Sequence, residues 1–183
     1  MNIKQVITEI DNAIIVALPL TPNKAFGLAE FYYDGEKRYP GININGEVTN
    51  CLLQDQYAIS WYHRSESSRL TVIENNFGDK LDKVEETTPV SLIIYANKTL
   101  TSQTIKDIFV SAIPSVLSKL VCESINTFDC TFEITETEMN STLVFREECS
   151  IPDVRVGLNH GLLAVRYEIK QTYRRGCTVI CEC

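Results

Sequence analysis

From Val90 to Ala96 the chain reads Val-Ser-Leu-Ile-Ile-Tyr-Ala, an almost unbroken apolar run introduced by Pro89. A strand with one face in water alternates apolar and polar residues; this one does not, so the run predicts a central strand covered on both faces. A cover follows directly. Between Leu100 and Val121, Ile105, Ile108, Phe109, Ala112, Val116 and Leu117 form one apolar stripe, and Thr101 or Ser102 can cap the helix start. Pro114 falls inside this helix, removing a donor and crowding the carbonyl four residues back, so a kink or a split is expected there.

The other segments supply a second helix and more strands. Ile3, Val6, Ile7, Ile10, Ile14, Ala17 and Leu18 recur at helical steps and stop at Pro19. Leu20 to Gly27 holds Pro22, Asn23 and Gly27 and reads as a loop. Leu28 to Tyr33 and Glu36 to Tyr39 flank Asp34-Gly35, which suits a type I′ hairpin turn; Pro40-Gly41 ends that hairpin, and the turn formers through Asn50 suggest a surface excursion. Strands are expected at Gln56 to Arg64 and Arg69 to Glu74, and a solvated acidic loop over Asn75 to Thr88. Thr131 to Glu138 and Ser141 to Glu148 read as a polar hairpin. A final strand starts at Leu162, with Val165, Tyr167 and Ile169 alternating against Arg166, Glu168 and Lys170.

No repeat or linker divides the sequence. The expectation is one α+β domain over 1–183, two principal helices on a mostly antiparallel sheet, with extended loops near 40–50 and 75–88. A chain of 183 residues is long enough for a sizeable core without staples. Its net charge of -7 disfavours a protein that neutralises a phosphate backbone. No apolar stretch near the N-terminus reaches the length of a bilayer span, and Glu9 and Asp11 interrupt any signal-peptide pattern, so a cytosolic origin without membrane contact is expected.

The residue types that carry chemistry are sparse. Histidine occurs only as His63, on a predicted strand end, where a structural or surface role is expected, and His160, in a glycine-flanked segment that reads as a turn and not a site. No nucleophile elbow, zinc-protease motif or glycine-rich phosphate loop is present. Seven cysteines, an odd and scattered set, argue against a disulfide framework. Cys177, Cys181 and Cys183 are the best metal candidates, since a strand would set all three on one face, but no fourth ligand is local. No catalytic residue, cofactor or metal is therefore expected. The aromatics Tyr32, Tyr33, Tyr39, Trp61 and Tyr62 cluster in two strand regions and are the interface candidates, because aromatic rings anchor protein contacts.

The order helix, aromatic hairpin, strands, apolar strand feeding a helix over Pro89 to Leu120, polar hairpin and long final strand resembles the small α+β tail-completion proteins of tailed bacteriophages. These include tail terminators and neck or connector subunits. The resemblance implies a virion protein assembled in the host cytoplasm as a homo-oligomeric ring. It would contact other neck, portal or tail proteins, and DNA would pass without specific binding. An acidic wall fits such a conduit, since it repels phosphate. The C-terminal cysteines are not part of the family pattern. A cytosolic non-enzymatic binding or assembly module is the alternative, and an enzyme with a site at a subunit boundary is the third.

Overall fold

The computed structural model describes residues 3–18, 21–52, 56–65, 67, 69–76, 81–97, 107–123, 129–138, 144–145 and 162–178. Helix α1 (Ile3–Ala17) leads into strands β1 (Asn23–Leu28), β2 (Glu30–Asp34), β3 (Lys37–Ile44), β4 (Glu47–Asn50), β5 (Ile59–Ser65), β6 (Arg69–Asn76) and β7 (Leu81–Asn97). A π-helical turn (Ile108–Ala112), helix α2 (Ile113–Glu123) and strands β8 (Asp129–Glu138) and β9 (Leu162–Thr178) follow. The fold is α+β with a mostly antiparallel sheet, as its sequence pattern predicts.

The large sheet runs β1-β5-β7-β9-β8, with β6 on β7 in line with β5. Among the described residues only β1 and β5 pair in parallel, and the other pairs of this sheet are antiparallel. Parallel neighbours need a crossover, and here it is the β2-β3-β4 meander, a separate three-stranded sheet. Strand β7 has 17 residues, roughly 55 Å of extended chain, and pairs with β9 over its whole length. Its other edge is shared: β5 pairs with Val90 to Ala96 and β6 with Leu81 to Thr87. Between these two ladders, three residues separate Ser65 from Arg69 while only Thr88 and Pro89 intervene on β7. Pro89, with no N–H to donate, lies at that handover, the place where a proline costs a sheet least.

Period two sorts the core into two layers. Ile59 and Trp61 of β5, Val90, Leu92, Ile94 and Ala96 of β7, and Val165, Tyr167 and Ile169 of β9 meet Ile10 and Ile14 of α1 and Phe109, Ile113 and Leu117 of the second helical segment. On the opposite face Tyr62, Ile93, Tyr95 and Ala164 pack with Phe26, Ala29, Cys51, Val144 and Phe145, and Ile42 of the meander lies against them. The run Val90 to Ala96 is buried throughout. Its expected coverage on both faces is present.

Several expected loops are strands. The stretch read as a loop from Leu20 holds β1, which docks beside β5 with a bulge at Gly27, φ +76°. The expected excursion over 40–50 is the second half of β3 and all of β4. Pro40 is tolerated in β3 because the β4 ladder stops at the Gly41–Asn50 pair, and its carbonyl accepts the Cys51 N–H. Asn45-Gly46 makes the turn, with φ of +55° and +93°, as a type I′ hairpin requires. The preceding turn is Gly35-Glu36, one residue later than expected; only Gly35 has positive φ, the type II′ pattern. The expected acidic loop over 75–88 contains the end of β6 and the start of β7, a polar strand held by ladders on both sides. Of the strand expected at 141–148, only Val144 and Phe145 are described, and they are in helix and turn geometry.

Pro114 does not kink a continuous α-helix; it follows a widened turn. Ile113 N–H donates to the Ile108 carbonyl five residues back. The next bond in that pattern would join residue 114 to the Phe109 carbonyl, but proline has no N–H. The Tyr167 hydroxyl, buried on β9, donates to that carbonyl instead. A backbone defect in the helix is thereby closed by a side chain of the sheet beneath it.

Ile94→Ala and Phe109→Ala are each expected to cost about 2 to 5 kcal/mol of stability in urea denaturation. Tyr167→Phe removes only the donor and is expected to cost about 1 to 3 kcal/mol. A neutral Tyr167→Phe would show that the Phe109 carbonyl is satisfied without it.

Candidate functional site

Asp11 is the polar residue that the helix places where its apolar stripe meets the sheet. It follows Ile10 on α1 and is 8% exposed. One carboxylate oxygen, Oδ1, accepts the Trp61 indole Nε1–H at 2.7 Å and lies 2.7 Å from His63 Nε2. Trp61 and His63 share a face of β5 because they are two residues apart, and both are fully buried. A carboxylate can only accept, so the imidazole donates through Nε2. His63 Nδ1 is buried and has no hydrogen-bond partner among the described residues. A carboxylate–imidazole pair resembles the orienting half of a nucleophilic triad, yet no described hydroxyl or thiol bonds to this ring. The arrangement ties α1 to the sheet.

Asp11 also borders a cleft of about 540 Å³ between α1, β1 and β3. Lys4, Ile7 and Thr8 line it from the helix, Lys24 to Leu28 from β1, and Gly41 to Ile44 from β3, with Glu30 and Tyr32 at the β2 end. The Tyr32 ring lies over Gly41, where a Cβ would come within 2.8 Å of Tyr32 Cδ2, so only glycine leaves the ring its place. Lys24 Nζ sits 5.9 Å from the Phe26 ring centroid. The cleft combines ammonium groups, apolar walls and strand backbone.

A second polar cluster lies on the other face of the sheet. Arg166 of β9 is 4% exposed, and its Nε donates to Glu168 Oε1 at 2.5 Å. Its Nη2 donates to Ser91 Oγ at 2.8 Å, and Ser91 donates to Glu168 Oε2 at 2.7 Å. The Val144 carbonyl accepts a longer bond from Nη1 at 3.4 Å. The closed ring of donors and acceptors compensates a buried guanidinium. On this face burial pushes the Cys51 thiol from 9.0 to about 12 and raises the Tyr95 hydroxyl, and on the helix side burial raises the Tyr167 hydroxyl.

The interface candidates separate. Trp61 and Tyr62 are fully buried on opposite faces of β5, so neither offers a surface, and their assignment as interface anchors is corrected. The meander aromatics are different: Tyr33 is 68% exposed, and Tyr32 and Tyr39 are half-buried cross-strand partners with ring centroids 6.3 Å apart. The guanidinium groups of Arg38 and Arg64 lie 4.7 and 4.0 Å from the Phe31 ring centroid, and the Arg64 contact links the meander to β5. Cys177 lies in β9 opposite Asp82, while Cys181, Cys183 and His160 lie outside the described residues. Among the described residues no group of three His, Cys, Asp or Glu side chains is placed to hold a metal, and no helix is long and apolar enough to cross a membrane.

Asp11 and Arg166 are the residues that sequence reasoning missed. Asp11 adjoins Ile7, Ile10 and Ile14 on the apolar stripe, and His63 continues the inward series Ile59, Trp61. Two polar groups at core positions of neighbouring elements signal a buried pair. Arg166 carried no such signal, because the cover on its side of the sheet comes from distant segments.

Asp11→Ala strands two buried donors and is expected to cost about 2 to 5 kcal/mol, with Asp11→Asn costing less, in chemical denaturation. Between about pH 9 and 12 the unfolded chain loses the Cys51 proton and the folded chain keeps it, so stability is expected to fall as pH rises through that window. At pH 8, iodoacetamide should leave Cys51 unmodified until urea unfolds the protein, read by peptide mass spectrometry; labelling of native protein would place this thiol at the surface. No protein-family model matches the chain, and no curated protein matches it.

Proposed function

We propose that this chain is a non-enzymatic structural subunit that acts by self-assembly, as a ring protein of the neck or tail-completion apparatus of a tailed bacteriophage. The observation that carries the reading is the meander: Tyr33, Ile44 and Val48 stand 68%, 49% and 39% exposed on a small sheet held against the main one. Large apolar side chains on one small exposed element are what a protein contact uses. Val16 of α1, at 87%, and Leu70 of β6, at 59%, add apolar surface elsewhere. The two buried polar clusters favour the same reading, since their groups bond to one another and tie elements together. The acidic balance, -7 overall, suits a ring through which DNA passes without being held. The runner-up is a cytosolic assembly module of unrelated origin, which the same exposed apolar surface would also serve.

Native mass measurement and negative-stain imaging of the purified chain test the proposal. A ring-forming oligomer is expected, and the chain is expected in purified virions of its source. Tyr33→Ala combined with Ile44→Ala should shift the protein toward monomer while circular dichroism stays unchanged. A strict monomer at high concentration that is also absent from virions would defeat the ring reading and favour the module.

A further inference from the structure

Five consecutive residues of β1, Lys24 to Leu28, line the cleft. Side chains of a strand alternate between faces, so a cleft bordered by five in a row runs along the strand's edge. That edge is the end of the large sheet: β1 pairs with β5 on one side and with no described strand on the other. Lys4, Ile7 and Thr8 of α1 wall the cleft on the helix side, and Gly41 to Ile44 of β3 wall it on the other. The floor of the slot is strand backbone without a ladder partner among the described residues. Such a slot fits an extended strand, which adds to the edge by main-chain hydrogen bonds.

The opposite end of the same sheet is β8, whose side away from β9 pairs with no described strand. Its ten residues include one Asp, three Glu and no Lys or Arg, and Glu133, Thr135, Glu136 and Thr137 are exposed. Like charges set opposite each other destabilise strand pairing, so two β8 strands repel. Of the slot's charged lining, Lys4, Lys24 and Glu30 reach the surface, while the negatively charged Asp11 carboxylate is buried and bonded to Trp61 and His63.

We infer that β8 of one copy adds onto β1 of the next copy, within the slot, with its carboxylates meeting Lys4 and Lys24. The large sheets then join head to tail, a heterologous contact that closes into a ring when the rotation between copies permits. The inference rests on the ring reading and names a contact between copies in addition to the exposed meander. An acidic edge can also serve only to deter pairing, and the experiment separates the two roles.

Full-length chains carrying Glu133→Lys with Glu136→Lys, or Lys4→Glu with Lys24→Glu, are compared with the unmodified chain by analytical ultracentrifugation, with folding checked by circular dichroism. Each pair of reversals is expected to weaken self-association roughly tenfold or more, and all four together to restore it to within about threefold. If both pairs associate like the unmodified chain, the strand-addition contact is wrong and the ring is built elsewhere. If the unmodified chain does not self-associate, the ring reading fails, and the slot is tested directly with a synthetic peptide of residues 129–138 carrying Cys130→Ser. Binding of that peptide to the full chain, lost with Lys4→Glu and Lys24→Glu, keeps the assigned site; no binding overturns it.

Discussion

Burial of β7 on both faces from Val90 to Ala96 is the constraint from which the other layers follow. Leu92, Ile94 and Ala96 require a helical cover on one side, and Ile93 and Tyr95 require a second cover on the other. The helices satisfy the first. The second is assembled from Phe26, Ala29, Cys51, Val144 and Phe145, with the meander strand β3 supplying Ile42. Polar groups caught inside these layers must find partners there, since an unpaired buried donor or acceptor costs on the order of 1 to 3 kcal/mol. Asp11 meets that demand for Trp61 Nε1 and His63 Nε2 on the helix side, where His63 Nδ1 has no partner among the described residues, and the Ser91–Arg166–Glu168 ring meets it on the other.

How much was legible follows from which interactions are local. The apolar run at Val90, the stripes of both helices and the alternation at Val165, Tyr167 and Ile169 are repeated signals, and the described residues contain each of them. The expected cap at Thr101 or Ser102 and Ile105 of the second stripe lie outside the described residues. The polar strands carried no such signal: the first half of β7 and most of β4 are strands because ladder partners hold them, and a ladder depends on residues far away in sequence. Pro40 and Pro89 misled for a related reason. Each sits where a neighbouring strand ends or is handed over, a condition set by the partner and invisible in the local sequence. The candidate site was less legible still. Trp61 and Tyr62 looked like surface anchors until a cover was in place on each face of β5, helical over Trp61 and the second layer over Tyr62, whereas Tyr33 stayed outside.

The same architecture links fold to proposed role. Where the large sheet is covered on both faces, around Val90 to Ala96, it has only its edges left for partners, and the exposed helix, meander and β6 surfaces lie outside that region. Here the two end strands differ: β1 is recessed between α1 and β3, and β8 is acidic. Unlike ends of one sheet favour head-to-tail contact over a two-fold dimer, the geometry that a ring of identical subunits needs. On the proposed reading the interior polar clusters fix the layers, and joining copies falls to separate surfaces.

Hydrogen–deuterium exchange followed as a function of protein concentration tests this division most directly. Amides of β7 from Val90 to Ala96 should be protected at every concentration, because their protection belongs to the fold of one copy. Amides of β1 and β8 should gain protection together as concentration rises and copies join. Exchange at β1 and β8 that stays the same across the range in which oligomers form would contradict assembly through these edges, and fast exchange at Val90 to Ala96 would contradict the doubly covered core itself.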